Sequence, residues 1–320
     1  MENILVTGAC GFKGTVLTEK LLNAGYGVTA VDTMWFGNFL PDHPKLRTIK
    51  ANILKTEVLP LEGIDTIIHL ANIANDPCGD LNSKLSWEVN CLALMNMLEK
   101  AIACGVKKFI YASSGSVYGV KEEEQVTEEL SLVPISDYNK TKMIAERVLM
   151  SYSDRIQTVI IRPATVCGYS PRMRLDVSVN MLTMQALTNG RITVFGGKQV
   201  RPNIHIQDIT DVYLFMMNEG KNLTGVYNAG FENISILDIA ETVTKYVPAE
   251  IVVTESNDPR SYRLNSDKLL KTGFKPKYSI AKAIEEIIEA YRSGKLKDAP
   301  DWYNIKTMKR MVEENRDLFV

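Results

Sequence analysis

Tyr138 and Lys142 stand four residues apart in Tyr138-Asn139-Lys140-Thr141-Lys142, at the head of an amphipathic stretch. Positions i and i+4 share one face of a helix, so the Lys142 ammonium can sit beside the Tyr138 phenol. A free tyrosine titrates near pH ~10 and is no base at neutral pH, but an adjacent positive charge favours the phenolate. With 13 tyrosines in the chain, about one such pair is expected by chance, so the spacing means little alone. A second set is Tyr111-Ala112-Ser113-Ser114-Gly115-Ser116, where an apolar run ends in hydroxyls and glycine. In open α/β sheets the carboxyl ends of the strands hold the ligand crevice, and a hydroxyl there can hydrogen-bond an alcohol being deprotonated by Tyr138.

The third set is TGACGFKG, Thr7 to Gly14, with Gly8, Gly11 and Gly14 three apart and Phe12 and Lys13 between the last two. It follows an apolar run and opens an amphipathic one. Glycines there permit a tight turn and let backbone N–H groups approach a pyrophosphate at a helix N-terminus. Asp32 closes the next apolar run, 18 residues past Gly14. A carboxylate at that place accepts from both adenosine ribose hydroxyls and repels a 2′-phosphate, and no Arg or Lys occurs from Thr33 to Leu40 to offset it. The expected cofactor is NAD, whose cationic nicotinamide would add to the pull on the Tyr138 proton.

These residues need a scaffold of alternating strands and helices. Short β-branched runs are expected as strands at Asn3–Val6, Val28–Asp32, Leu46–Lys50, Thr66–Leu70, Lys108–Ser113 and Thr158–Arg162. Helices are expected at Phe12–Ala24, Ser83–Cys104, Asp137–Tyr152 and Val177–Thr188. Strands without polar alternation imply burial on both faces, hence an α/β fold with a Rossmann-like, doubly wound parallel sheet. Beyond Thr165 the rhythm loosens into short strands (Ile192–Phe195, Gly225–Asn228, Glu250–Val253) among helices that include Ser235–Tyr246 and Ser279–Arg292. Residues 1–165 are read as the cofactor domain with the catalytic residues. Residues 166–320 are read as a smaller substrate-binding lobe interleaved with the sheet. The acidic stretch Glu122–Glu129 is expected as a solvated loop.

Composition removes several classes. At 320 residues, with 45% hydrophobic, 23% charged and a net charge of −1, the chain is neither disordered nor basic enough for general nucleic-acid binding. No apolar run approaches the ~18 residues that span a bilayer. The opening MENILVTGAC lacks the basic and apolar regions of a signal peptide, so a cytoplasmic protein is expected. Five scattered cysteines without a C-x-x-C pair argue against a disulfide framework, and three histidines without H-x-x-x-H spacing argue against a metal site.

Taken together, the chain resembles an extended short-chain dehydrogenase/reductase of the nucleotide-sugar epimerase/dehydratase family, over nearly its whole length to about Arg292. TGACGFKG matches the family glycine loop, and IYASSGSVYG and SDYNKTKMIAE match its catalytic strand and Tyr/Lys helix. The resemblance makes Ser114, Tyr138 and Lys142 the catalytic set. HLANIA resembles the segment that places Leu70 and Ala71 against the cofactor. Asn52-Ile53 stands where the family often has Asp-Ile against adenine, and Asn90 resembles a helix asparagine of the cofactor site. Arg162-Pro163 resembles the R-P whose proline backs the nicotinamide. In the second lobe the resemblance places Arg201 on a substrate diphosphate, with Arg260 taking a role the family often gives to an arginine where Glu255 stands here. Arg172, Arg174 and Asn180 are further candidates to line the substrate.

The implied chemistry is hydride transfer at carbon 4 of a nucleoside-diphosphate sugar. Dehydratases of the family carry two acidic residues just after the catalytic hydroxyl, and decarboxylases a glutamate in the second place. Gly115 and Ser116 stand there instead. That leaves a 4-epimerase, with a 4-dehydrogenase/reductase as the alternative and a non-catalytic NAD-binding regulator as a remote one. Helices Ser83–Cys104 and Asp137–Tyr152 resemble those that pair across a two-fold axis in the family, implying a homodimer or larger homo-oligomer with Leu92, Met95 and Leu98 as an apolar stripe.

Overall fold

The computed structural model describes residues 2–256 and 261–314. The apolar runs form one seven-stranded sheet. Six strands come from the N-terminal half: β1 (Asn3–Thr7), β2 (Gly27–Asp32), β3 (Leu46–Lys50), β4 (Thr66–His69), β5 (Lys108–Ala112) and β6 (Gln157–Pro163). The seventh, Gly225–Ala229, comes from the C-terminal half and pairs with β6. The order across the sheet is β3-β2-β1-β4-β5-β6 and then Gly225–Ala229, with every pairing parallel. The order reverses between β1 and β4, which opens a crevice at their carboxyl ends. Both faces are covered, as the unbroken Val/Ile runs require. Ile4 and Val6 pack with Ile68, Ile110 and Ile161 on one side, while Leu5 packs with Ile67, Phe109 and Ile160 on the other.

The expected helices at 12–24 and 137–152 form as Phe12–Asn23 and Asp137–Met150. The stretch expected as one helix from Ser83 to Cys104 is interrupted. Helix Ser83–Trp87 passes through a π-helical turn, Glu88–Leu92, into helix Ala93–Ala103. Of its supposed outer stripe, Leu92 and Met95 are exposed, but Leu98 is fully buried in the core and is corrected to a packing residue. The Glu122–Glu129 loop is only partly solvated. Glu122 to Glu124 are exposed, whereas Val126 is buried and bridges Leu264, and the Glu128 carboxylate accepts the Asn228 N–H at 2.7 Å.

The second lobe has its own small core, in which Val179, Leu182, Ile239, Val243, Ile284 and Ile288 meet. Around it lie a three-stranded sheet (Thr165–Cys167, Val200–His205, Glu232–Ser235) and a parallel pair (Arg191–Phe195 with Glu250–Thr254). Helix Ile206–Met217 buries residues on most of its surface between this lobe and helix Phe12–Asn23, so it lacks the one-sided pattern that marks a surface helix. Helix Asn304–Glu313 follows, with Met308 and Met311 sunk into the core beneath the large sheet.

Candidate active site

At the end of β1 the chain turns through Gly8, whose φ is +69°. A Cβ on Gly8 would lie 2.7 Å from the Ala71 nitrogen, and one on Gly14 would lie 2.2 Å from the Gly8 carbonyl oxygen. Only glycine lets β1, the end of β4 and helix Phe12–Asn23 come this close. The resulting cradle opens into a cleft of about 530 Å³, lined at this end by Gly8, Gly11, Phe12, Lys13 and Gly14. Unpaired N–H groups at the helix start suit an anion. Burial, with Arg174 nearby, holds the Lys13 ammonium down to about 8.

Farther along the cleft stand Asp32, Asn52, Ile53, Leu70, Ala71 and Pro163. The Asp32 carboxylate accepts the Cys10 N–H at 3.0 Å and the Met34 N–H at 2.7 Å. Burial raises its carboxyl, while those two bonds and Arg172 pull it back. Asn52 turns its side-chain oxygen to the Leu54 N–H at 3.0 Å, fixing its own loop. Asn90 is corrected: it does not line the cleft. Its buried amide accepts the Ile73 N–H at 2.9 Å and donates to the Thr141 hydroxyl at 3.0 Å, tying the loop after β4 to the Tyr/Lys helix.

The catalytic candidates meet where β5 ends. Ser114 caps a short 3₁₀ turn, its oxygen accepting the Ser116 N–H at 3.2 Å. Helix Asp137–Met150 begins one residue before Tyr138, capped by the Ser136 oxygen on the Asn139 N–H. Ser114, Tyr138 and Lys142 all face the same cleft. The expected ammonium–phenol pairing takes a different form. Lys142 donates to the Ala112 carbonyl at 2.7 Å and lies 4.7 Å over the Tyr111 ring. Burial, then Lys13, push its ammonium down to about 7. Burial also pushes the Tyr138 phenol up to about 12, Asp76 adds to this, and Arg174 and the Ser114 hydroxyl pull toward the phenolate. Burial penalises both charged forms, which proximity on a helix face does not reveal.

Behind this face lies a buried ion pair. Arg162 donates to Glu146 through Nη2 at 2.6 Å and Nε at 3.0 Å, and Ser113 also donates to that carboxylate. Arg162 Nη1 reaches the Tyr118 hydroxyl at 2.7 Å, which in turn donates to Asn228 at 2.8 Å. The second lobe closes the far wall with Arg174 and Arg201. Arg174 is braced by Asp176 at 2.9 Å. Asn180 is corrected like Asn90: fully buried, it holds the Gly168 backbone and donates to the Arg174 carbonyl at 2.8 Å instead of facing the cleft. Arg260 lies outside the described residues.

Several cleft residues went unnoticed in the sequence. Asn75 and Asp76, just after β4, face Tyr138's side of the cleft, and Tyr262 and Asn304 reach it from the C-terminal part. Arg172, a candidate for the substrate wall, instead approaches Asp32. It is almost fully buried, stacks 4.1 Å over the Phe36 ring and donates to the Asn304 side chain at 2.6 Å. Among the described residues no group of His, Cys, Asp and Glu is arranged to hold a metal, and no helix is long and apolar enough to cross a membrane.

The profile of the NAD dependent epimerase/dehydratase family matches residues 4–230. The chain belongs to that family. It is thereby an NAD-dependent enzyme of the extended short-chain dehydrogenase/reductase type. It is 32% identical over 258 residues to an uncharacterized UDP-glucose epimerase, YtcB, of Bacillus subtilis, covering 75% of this chain and 80% of the relative. It is 25% identical over 307 residues to UDP-glucose 4-epimerase of Lactobacillus helveticus, covering 86% and 92%. Among solved structures, UDP-glucuronic acid 4-epimerase from Bacillus cereus in complex with UDP-glucuronic acid and NAD superposes with a TM-score of 0.80 at 28% identity, covering 91% and 99%.

Proposed function

We propose that the protein is a 4-epimerase of a nucleoside-diphosphate sugar. One observation carries this reading: Ser114 and Tyr138 share a cleft with Arg174 and Arg201, while the residues after Ser114 are Gly115 and Ser116, which have no acid or base to expel water. The relatives named as UDP-glucose and UDP-glucuronic acid 4-epimerases support a uridine nucleotide.

The glycine cradle, Lys13, Asp32, Asn52, Ile53, Leu70, Ala71, Lys142 and Pro163 would hold NAD, which supplies a hydride acceptor and, when oxidised, a positive charge beside the phenol. Tyr138 removes the proton from the carbon-4 hydroxyl and later returns it. Ser114 orients that oxygen, and Arg174 and Arg201 would clamp the diphosphate, where guanidinium groups bond phosphate oxygens in pairs. The 4-keto sugar must turn over between proton removal and return, so the sugar itself needs a loosely fitted wall. In this reading residues 1–165 carry the cofactor, residues 166–320 supply most of the substrate wall, and the enzyme works as a cytoplasmic homodimer.

The test is incubation with UDP-glucose and UDP-glucuronic acid without added acceptor, following NADH absorbance and product stereochemistry. Catalytic 4-epimer formation without net NADH is expected, and Tyr138→Phe should lower it at least about 100-fold while NAD still binds, since general base catalysis contributes ~10²–10⁴. One NADH per site with a released keto sugar and no epimer would overturn epimerisation in favour of a dehydrogenase.

A further inference from the structure

Arg172 is 1% exposed, yet it lines the cleft together with Asp32, Phe36 and Asn52. A guanidinium presents several N–H donors and no acceptor. Among the described residues this one donates a single hydrogen bond, from Nη2 to the Asn304 side-chain oxygen at 2.6 Å, and its Nε–H has no partner. The Phe36 ring packs against the group, 4.1 Å from centroid to guanidinium carbon. A buried N–H left unpaired is costly, and a buried charge short of hydrogen bonds more so. Burial pushes the guanidinium down to about 9, Arg174 adds to this, and Asp176 and Asp32 pull it back. What the site lacks is an acceptor, and the cleft is where one can arrive.

The one partner of Arg172 comes from the C-terminal segment. Asn304 opens helix Asn304–Glu313, and its N–H donates to the Asp176 carboxylate at 3.1 Å. The other oxygen of Asp176 accepts Arg174 Nε at 2.9 Å. Just before Asn304, the Trp302 carbonyl accepts the Leu175 N–H at 2.8 Å. The Trp302 ring meets Phe39, with centroids 5.6 Å apart. Residues 302–311 thus tie three things together: the second lobe through Leu175 and Asp176, the loop after Asp32 through Phe39, and the core beneath the large sheet through Met308 and Met311.

We propose that Arg172 is a cofactor-binding residue, donating to an oxygen of the adenosine diphosphate half of NAD, and that Asn304 is the residue that positions it. The cofactor is then gripped from the second lobe as well as from the glycine cradle, and the C-terminal segment straps that grip in place. Phosphate and ribose oxygens are the acceptors a guanidinium fork matches, and low local dielectric strengthens each bond. A second grip slows NAD release, which suits an enzyme that regenerates its oxidised cofactor in every cycle. The inference goes beyond the 4-epimerase reading, because cofactor binding needs no sugar nucleotide and can fail or succeed without it.

The test uses the full-length protein and two fragments of the cofactor. ADP-ribose carries the adenosine diphosphate half, and nicotinamide mononucleotide lacks it. Dissociation constants are measured by calorimetry for the first and by ligand-observed NMR for the second. Arg172→Met should weaken ADP-ribose by at least about tenfold, the loss expected for one charge-assisted hydrogen bond, and leave the mononucleotide unchanged. Asn304→Ala should weaken ADP-ribose by about threefold, as for a lost neutral bond that orients the fork, and should speed NAD release from the holoenzyme. A merely structural pair would lower the urea midpoint and loosen both fragments alike. An unchanged ADP-ribose constant in folded Arg172→Met, or equal losses for the two fragments, overturns the assignment. If Arg172→Met does not fold, Asn304→Ala decides by the same two criteria.

Discussion

Asp32 and Arg172 show how one residue's meaning depends on another 140 positions away in the chain. The stretch after Asp32 holds no cation of its own through Leu40, which favours the ribose hydroxyls of NAD. In the fold, Arg172 from the second lobe is stacked on Phe36 and feels the Asp32 charge. The carboxylate and its own two backbone bonds therefore hold off a 2′-phosphate that a nearby guanidinium would otherwise accept. Asp32→Ser should raise NADP affinity relative to NAD by at least about tenfold, or ~1.4 kcal/mol. Asp32→Ser combined with Arg172→Met should lose that gain. Dissociation constants for both oxidised cofactors check this, and equal ratios in the two variants would remove Arg172 from the explanation.

At the scale of elements, β6 and helix Asp137–Met150 are locked together by Arg162 and Glu146, whose side chains are 5% and 1% exposed. Removing one partner of such a pair leaves an uncompensated buried charge. Glu146→Ala should therefore lower unfolding free energy by about 3–5 kcal/mol, measured by urea denaturation. Because Lys142 lies one turn before Glu146 on the same helix face, the loss should also loosen the lysine. The neighbouring helices make a second case. Leu92 and Met95 are exposed at 47% and 38%, and Ile144 and Met150 are exposed on the Tyr/Lys helix. Four large apolar residues on two adjoining helices suit a two-fold helix-pair interface. Sedimentation at micromolar protein should show a dimer, and Leu92→Glu with Met95→Glu should give a folded monomer. A monomeric wild type would overturn the interface.

For the whole molecule, acid stability is expected to depend on His69, buried under the glycine cradle. His69 bonds Thr7 at 2.8 Å, stacks with Tyr111, and is held neutral down to about pH 3 by burial and by Lys142. Unfolded, it would bind a proton near pH 6.5. The unfolded state thus carries the extra proton between about pH 6.5 and 3, and stability falls as pH drops through that window. His69→Leu should flatten the fall from pH 7 to 5 relative to wild type, read as the denaturation midpoint at each pH. Equal slopes in the two proteins would show that His69 does not control it.

The sequence by itself determined the parallel sheet and marked the glycine cradle and the candidate trio Ser114, Tyr138 and Lys142 that line one cleft. Each depends on local chemistry: unbroken Val/Ile runs, glycines at fixed spacing before a helix, and a Tyr and Lys one turn apart. It also carried Asp32, because a strand's last residue falls at a fixed place beside the cleft. What only the tertiary structure decided depends on groups distant in sequence or on burial. Asn90 and Asn180 have the residue type of ligand-binding groups, yet both are buried, Asn180 with its amide on backbone and Asn90 with its amide on the Ile73 backbone and the Thr141 hydroxyl. Leu98 has the spacing of an outer stripe, yet the π-helical turn before it and the packed core behind it leave it inside. Lys142 has the position of a phenol's partner, yet the Ala112 carbonyl takes its hydrogen bond. Arg172, Asp76 and Asn304 reach the cleft from three separate segments. Hydrogen-bond partners and desolvation are properties of the packed interior, and spacing along a chain carries no record of which distant group fills a given site.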